Sequence, residues 1–413
     1  MAEIPPGVLM VTGAYDPELS GGGLQCRELI RALRSRARCG VLTTATEAAA
    51  LREEQVDRVP VYRVSVDVTR LGSQVRAGLR LTRRFLELQH DYDVVHIHGF
   101  SRKAILLTLL ARLKRKRVVW TFHTGGHDAP EAIRAHGRLA AWAYDRADAY
   151  TSVSPELHAA HGAAGVPSGK LAWIPNGVDL ERFQPASAED RRRLRQRLGL
   201  PADRPVILFV GFFSNEKQPD ALFEAWQRLP GETTLLFIGA TRSRYREVDP
   251  ALAPRIRDEA QRRGLASRLR FVEQTKSIED YFRAADLYVL PSSREGMPLA
   301  LLEAMACGVP CIASRLPGST DTIIEDGVNG ALVPPSDVTA LEQAMRRLLD
   351  HPDEAAAMGV RARATIAERF SIEQTAERYF ELYQRLTSGH RLSDMRHATC
   401  NTSEPCSGIH DNR

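Results

Sequence analysis

The sequence predicts an α/β protein of two doubly wound halves, and three observations carry that prediction. Short β-branched runs alternate with helical patterns from one end of the chain to the other. Runs such as VILFVG and LYVLP are almost continuously apolar, as strands covered on both faces are. A polar, Pro-containing stretch splits the alternation into two series. Strands alternating with helices make βαβ units, and these build parallel sheets with helices on both sides.

In the first series the strands are VLMVT (8–12), GVLTT (40–44), VYRVSV (61–66), DVVHIH (93–98), VVWTFH (118–123), AYTSVS (149–154) and LAWIP (171–175). Leu24 to Leu33 and Glu131 to Ala143 have helical spacing between them. The second series runs VILFVG (206–211), TLLFIG (234–239), LRFV (269–272), LYVLP (287–291), PCIAS (310–314) and GALVP (330–334). The division falls at Gln184 to Pro205, where FQPASAED and PADRP flank RRRLRQRLGL. That basic run reads as a solvated helix face, with a phosphate or membrane patch as the alternative. Domains are expected at 1–185 and 186–370, then a helix at 371–387. Residues 388–413 lack periodicity and large apolar side chains and are expected to be disordered.

Composition narrows the class. The chain has 413 residues, 43% hydrophobic and 26% charged, as soluble globular proteins do. Its net charge of +5 suits an anionic ligand or membrane surface and does not point to nucleic acid. Cysteines at 26, 39, 307, 311, 400 and 406 show no zinc spacing and read as reduced thiols. The first residues do not resemble a signal peptide. The longest apolar stretch, Ala104 to Leu113, falls short of the roughly 20 residues a bilayer span needs. The expected location is cytoplasmic, with peripheral contact to the inner membrane face as an option.

Four segments carry chemistry. SSREGMPLALLEAMACGVPCIAS (292–314) follows the strand LYVLP, at the carboxyl end where open α/β sheets bind ligands. Pro298 is expected as the first helical residue, leaving the amides of Leu299 and Ala300 free at a helix N-terminus suited to phosphate. Glu295 and Glu303 make sense as acceptors for hydroxyls, one on a sugar and one on a ribose. VGFFSNEKQPD (210–220) presents Lys217 in a strand-to-helix loop. SGGGLQ (20–25) brings Gly22 and Gly23 after the first strand, where backbone can approach a ligand closely. His96, His98 and His123 end adjacent strands, with His127 beyond; no third ligand at defined spacing supports a metal site.

The pattern E-G-M-P-L-A-L-L-E followed by A-M-A-C-G-V-P resembles the signature of family 4 retaining glycosyltransferases, which have the GT-B fold of two facing Rossmann-like domains. The resemblance reaches from the start to about residue 386 and is highly specific around this motif. It implies that Glu295 meets the transferred sugar, that Glu303 holds the ribose and that the Leu299 and Ala300 amides bind the diphosphate. Lys217 matches the family's phosphate lysine, and Gly22 and Gly23 its Gly-Gly loop. His123 matches a histidine placed against the sugar. Asn176-Gly177-Val178-Asp179 matches a turn that closes the first domain and shapes the cleft. His98 and Arg102 are expected on the acceptor side, Arg102 opening the basic, apolar stretch RKAILLTLLARLKRKR (102–117) that is a candidate membrane face. Phe212 departs from the pattern, standing where the family has an arginine; Arg242 or Arg244 is expected to substitute.

The implied reaction moves a sugar from a UDP- or GDP-sugar to an acceptor hydroxyl with retention, by front-side substitution, with no metal or other cofactor. The alternatives are a nucleotide-sugar 2-epimerase of the same architecture and a non-catalytic nucleotide-sugar-binding subunit, the latter motivated by Phe212.

Overall fold

The computed structural model describes residues 5–16, 20–45, 52–241 and 248–388. Arg242, Arg244, the last two cysteines and the expected tail from 389 onward lie outside them.

The first sheet contains β1 (Gly7–Thr12), β2 (Arg38–Ala45), β3 (Arg52–Val56), β4 (Val59–Ser65), β5 (Val94–His98), β6 (Arg117–Phe122), β7 (Ala149–Ser152) and β8 (Leu171–Trp173). The second contains β9 (Val206–Val210), β10 (Thr234–Ile238), β11 (Leu269–Val272), β12 (Leu287–Leu290), β13 (Cys311–Ser314) and β14 (Ala331–Val333). The orders are β3-β4-β2-β1-β5-β6-β7-β8 and β11-β10-β9-β12-β13-β14. All pairings are parallel except β3 with β4. The sequence reading missed β3. Its REEQV has no apolar alternation, because an antiparallel edge strand needs only a backbone partner and keeps charged side chains toward water.

These orders decide where a site can be. In each sheet the chain starts centrally, winds outward to one side, then returns to the other side. The reversal lies between β1 and β5 in the first sheet and between β9 and β12 in the second. Loops leaving neighbouring strands there diverge and open a crevice. The crevice of the first sheet is lined from the loops after β1, β5 and β6, that of the second from the loops after β9 and β12.

Local chemistry sets the helices. Ser20 caps Gly21–Leu33, its Oγ accepting the Gly23 N–H at 3.0 Å. The basic run forms Ala188–Leu198, capped by Ser187 and closed by left-handed Gly199. Part of this helix is a docking face rather than a solvated one. Arg195 is buried and donates to the Ala284 carbonyl at 3.0 Å, Arg191 reaches Asp286 at 3.1 Å, and Arg197 reaches Asp280 at 2.7 Å.

The last helix, Ile372–Ser388, returns to the first sheet. Its Ala376, Tyr379, Leu382 and Tyr383 share a core with Val8, Met10 and Leu29. The two crossings between the sheets run side by side: Val178 N–H donates to Phe370 O and Ile372 N–H to Val178 O, each at 2.9 Å. Gly177 is required there, because a Cβ would lie 2.6 Å from Ile372 Cα. Among the described residues no helix is long and apolar enough to cross a membrane.

Candidate active site

The wall from the second sheet carries formal charge. After β9, Phe213 is driven into an aromatic core with Phe209, Phe237 and Phe271, which anchors the loop and leaves Phe212 half-buried. Ser214 Oγ accepts the Lys217 N–H at 3.3 Å, and Gln218 turns left-handed (φ 48°) before Pro219 starts the next helix. This aims Lys217 at the loop after β12. Its Nζ lies 2.5 and 2.7 Å from the two Glu295 oxygens, and the Glu295 side chain is only 6% exposed. A backbone bond from Ser293 N–H to Glu216 O at 2.7 Å and an Arg294–Glu216 ion pair lock the two loops together.

The helix Leu299–Ala306 follows. Pro298 is its N-cap rather than its first residue, and no side chain caps it. Its ψ of 109° is extended, so it precedes the helical turn instead of opening it. The amides of Leu299 and Ala300 thus stand at an uncapped N-terminus carrying partial positive charge. Glu303, further in, sits in a different field from Glu295. Loss of water pushes its carboxyl up to about 8; Arg182 opposes this, and Glu28 and Glu279 add to it. Arg182 joins those two glutamates, at 3.4 Å and 2.9 Å, and so links the first and second domains.

The wall from the first sheet meets the cleft with glycine and histidine, its Asp128 carboxylate turned onto backbone amides and its Lys103 ammonium onto Thr12 O and Thr44 Oγ1. Gly22 faces His123, and a Cβ there would touch the ring at 3.4 Å. Gly23 packs tightly, a Cβ there lying 2.3 Å from Ala14 O. His123 follows β6, and its main-chain N–H donates to Asp128 Oδ2 at 2.8 Å. Asp128 also accepts the Thr124 N–H at 3.1 Å and the Phe100 N–H at 2.7 Å, so one buried carboxylate ties the loops after β5 and β6. His98 Nδ1 lies 3.1 Å from His123 Nε2. His96 is buried deeper, between Tyr383 OH and Thr121 Oγ1 at 2.6 Å each, and burial lowers it to about 3. His127 is exposed. Among the described residues no His, Cys, Asp and Glu groups gather in threes as metal ligands would.

The two walls touch. A Cβ on Gly296 would lie 1.9 Å from His123 O, so only glycine lets the Glu295 loop rest on the His123 loop. Gly126, at φ +80°, a left-handed conformation that favours glycine, lies against the Arg294 guanidinium. Asn176 reaches across too, its Nδ2 donating to Met297 O at 3.0 Å. The structure therefore gathers Gly22, His98, His123, Lys217, Glu295 and Asn176, with Leu299, Ala300 and Glu303 on the adjoining helix. Arg102 stands apart; its guanidinium donates to Gln74 at 3.3 Å on an outer helix. Asp128, Arg182 and Arg294 escaped the sequence reading. Only Arg294, beside Glu295 in SSREG, had a signal in its position.

This geometry has counterparts. The family model for Glycosyltransferase Family 4 matches residues 19–182, and that for Glycosyl transferases group 1 matches residues 190–365. The D-inositol 3-phosphate glycosyltransferase of Mycolicibacterium smegmatis is 32% identical over 325 residues, 74% of this chain and 70% of that protein. The GDP-mannose-dependent alpha-(1-6)-phosphatidylinositol monomannoside mannosyltransferase of the same organism is 28% identical over 393 residues, 91% of this chain and 97% of the other. Against the D-inositol 3-phosphate glycosyltransferase of Xylanimonas cellulosilytica, 34% identical over 229 residues, the match takes in 54% of this chain and about half (53%) of the relative's length. Among solved structures, Anabaena HepE in complex with UDP-glucose has a TM-score of 0.75 at 20% identity, covering 92% of this chain and 99% of that one, a likeness of fold. With both of its halves matched, and with a relative of this identity over most of its length, the chain belongs to glycosyltransferase family 4, with the GT-B fold.

Proposed function

We propose that the protein is a retaining glycosyltransferase that moves a hexose from a UDP- or GDP-sugar to an acceptor hydroxyl. The observation that carries this reading is the Lys217–Glu295 pair, which lies beside an uncapped helix N-terminus at a strand-order reversal and against the His123 loop. The diphosphate takes the amides of Leu299 and Ala300 and draws Lys217 from Glu295; Glu295 is then free to accept from a sugar hydroxyl, and Glu303 from the ribose. The C1–oxygen bond to the diphosphate breaks with its electron pair on the leaving oxygen. The acceptor oxygen bonds C1 from the same face and passes its proton to the leaving diphosphate. Lys217 and the helix amides meet the charge that builds there. His123 and the Gly22 backbone face the sugar from the other wall. No metal takes part.

The names of the two Mycolicibacterium relatives favour a polyol acceptor, free or lipid-linked, bound by the first domain. A lipid-linked acceptor also fits the outer surface. Helix Leu71–Leu88 exposes Leu71, Val75 and Leu79 beside Arg76, Arg80 and Arg83, and helix Arg102–Leu113, packed against it, exposes Leu109 and Leu113. This basic, apolar face suits an anionic membrane surface. Co-sedimentation with phosphatidylglycerol vesicles but not phosphatidylcholine vesicles is the expected outcome.

The testing experiment incubates the protein with UDP- and GDP-hexoses and polyol acceptors, follows nucleoside diphosphate release, and reads the anomeric configuration of the product by NMR. A product with inverted configuration contradicts retention. Tight nucleotide-sugar binding without turnover favours the binding-subunit reading, and an isomerised free donor favours the epimerase.

A further inference from the structure

His98 ends β5 with 7% of its surface exposed. Its ring lies within 15° of parallel to that of His123, centroids 5.3 Å apart, and the rings are joined nitrogen to nitrogen at 3.1 Å. The other His98 nitrogen, Nε2, is buried with no hydrogen-bond partner. His96 packs against the far side, ring centroids 4.1 Å apart, with both of its own nitrogens occupied by Tyr383 and Thr121. His98 is thus clamped by a network that runs from the cleft to the C-terminal helix, and Asp128 fixes the His123 main chain on the other side.

We propose that His98 is a positioning residue for His123: its Nδ1–H donates to His123 Nε2 and holds His123 as the tautomer protonated on Nδ1. A neutral imidazole has one donor nitrogen and one acceptor nitrogen. Burial holds both rings neutral, His98 well below its ordinary value. One proton therefore lies between the facing nitrogens. If His123 supplied it, His98 would carry its own proton on Nε2, a buried N–H with no acceptor. If His98 supplies it, Nε2 keeps only an unmet lone pair. Protein interiors leave N–H donors unmet more rarely than acceptors, which selects the second arrangement. His123 Nε2 is then occupied as an acceptor, and Nδ1, which no described group bonds, is left as an N–H donor for an oxygen in the cleft.

The catalytic consequence rests on the reading of His123 as facing the transferred sugar; the tautomer does not. The full chain labelled with 15N-histidine gives the test. Long-range imidazole spectra, with His123 assigned from its loss in His123→Gln, should show Nε2 as the unprotonated nitrogen of His123 before any substrate is added. A His123 protonated on Nε2 overturns the proposal, whether or not the protein turns over a sugar. In turnover assays His98→Leu should lower kcat on the order of 10–10²-fold with donor KM within a few-fold, the scale expected when a reacting partner is misplaced. His98→Asn, whose amide can donate from nearly the same point, should recover most of that loss. Unchanged kcat in His98→Leu, or an Asn variant no better than Leu, overturns the positioning role. Should His98→Leu fail to fold, the wild-type spectrum and the Asn variant still decide.

Discussion

The two walls of the cleft are built from opposite materials. The second-domain wall uses long charged side chains, with Lys217 on Glu295 and Arg294 on Glu216, beside a Glu303 that burial keeps protonated up to about 8. The first-domain wall presents a bare glycine, backbone and imidazoles kept neutral by burial, with its Asp128 carboxylate turned onto backbone amides. On the proposed reading, charge is concentrated where a leaving diphosphate gains charge, and neutral groups stand where hydroxyls must be oriented. Each wall pairs two side chains, Lys217 with Glu295 in one and His123 with His98 in the other. The division of labour is in the charges, and substitution can separate the two.

The largest effect is expected at Lys217. Lys217→Ala removes the preorganised cation from the diphosphate, and kcat should fall on the order of 10²–10³-fold in a nucleoside diphosphate release assay. It also strands the Glu295 carboxylate, buried and unpaired, which should cost about 3 kcal/mol in a denaturant melt. Lys217→Ala with Glu295→Gln should regain most of that stability and none of the turnover. A double variant that stays as unstable as the single one would show that the pair is not what links the two loops.

On the neutral wall, His123→Ala should lower kcat by about 10²-fold or less, as loss of one positioned hydrogen-bonding group does. Measured by calorimetry above about pH 8, where Glu303 is ionised, Glu303→Ala should weaken both UDP and GDP by roughly 1.5–3 kcal/mol, because the ribose loses its charged acceptor. Equal affinities in wild type and variant would remove Glu303 from the ribose.

Glu303 also makes a pH prediction. Its folded value, about 8, lies above the ordinary 4.5. Between the two, the folded chain holds a proton that the unfolded chain has released, so stability falls as pH rises through that window, and the loss is complete above the folded value. Glu303→Gln removes the penalty. Its melting temperature should exceed that of wild type at about pH 8.5 and match it near about pH 4. Two parallel melting curves across pH would contradict the raised value.

The smallest effects are expected at the edges of the site. Phe212→Arg restores a second cation beside Lys217 and should change kcat by less than about tenfold if Lys217 and the helix amides already serve the leaving group. A large gain in turnover would show instead that one missing charge had silenced the site. Excess EDTA should leave turnover unchanged; loss restored by magnesium or manganese would sink the metal-free reading.

How much of this was legible in the sequence depended on how local the signal was. Buried parallel strands and the Glu295–Glu303 segment announce themselves, because burial on both faces and a strand-to-helix ligand loop each constrain a short run of residues. β3 did not, since an edge strand is specified by its neighbour. The last helix read as amphipathic, but nothing in FSIEQTAERYFELYQRL says that Tyr379 and Tyr383 return to His96 and Thr121, hundreds of residues back. Lys217 and Glu295 were each foreseen as ligand-binding groups; their pairing was not, because it depends on β9 and β12 being neighbours. Asp128 was invisible for the same reason, its role being to accept backbone N–H groups from two loops. The tight packing of Gly23 against Ala14 was not legible, since proximity to a ligand and close packing give the same glycine in sequence.

The comparison of the two walls is tested most directly by calorimetric titration of UDP and of GDP into wild type, Lys217→Ala and His123→Ala. If charge on the second-domain wall holds the diphosphate and the neutral wall orients hydroxyls, the nucleotide that binds wild type should lose on the order of tenfold or more in affinity with Lys217→Ala, the scale of one charge-assisted hydrogen bond. It should bind His123→Ala as it binds wild type. Equal losses in the two variants, or a loss confined to His123→Ala, would contradict the division of labour on which the account rests.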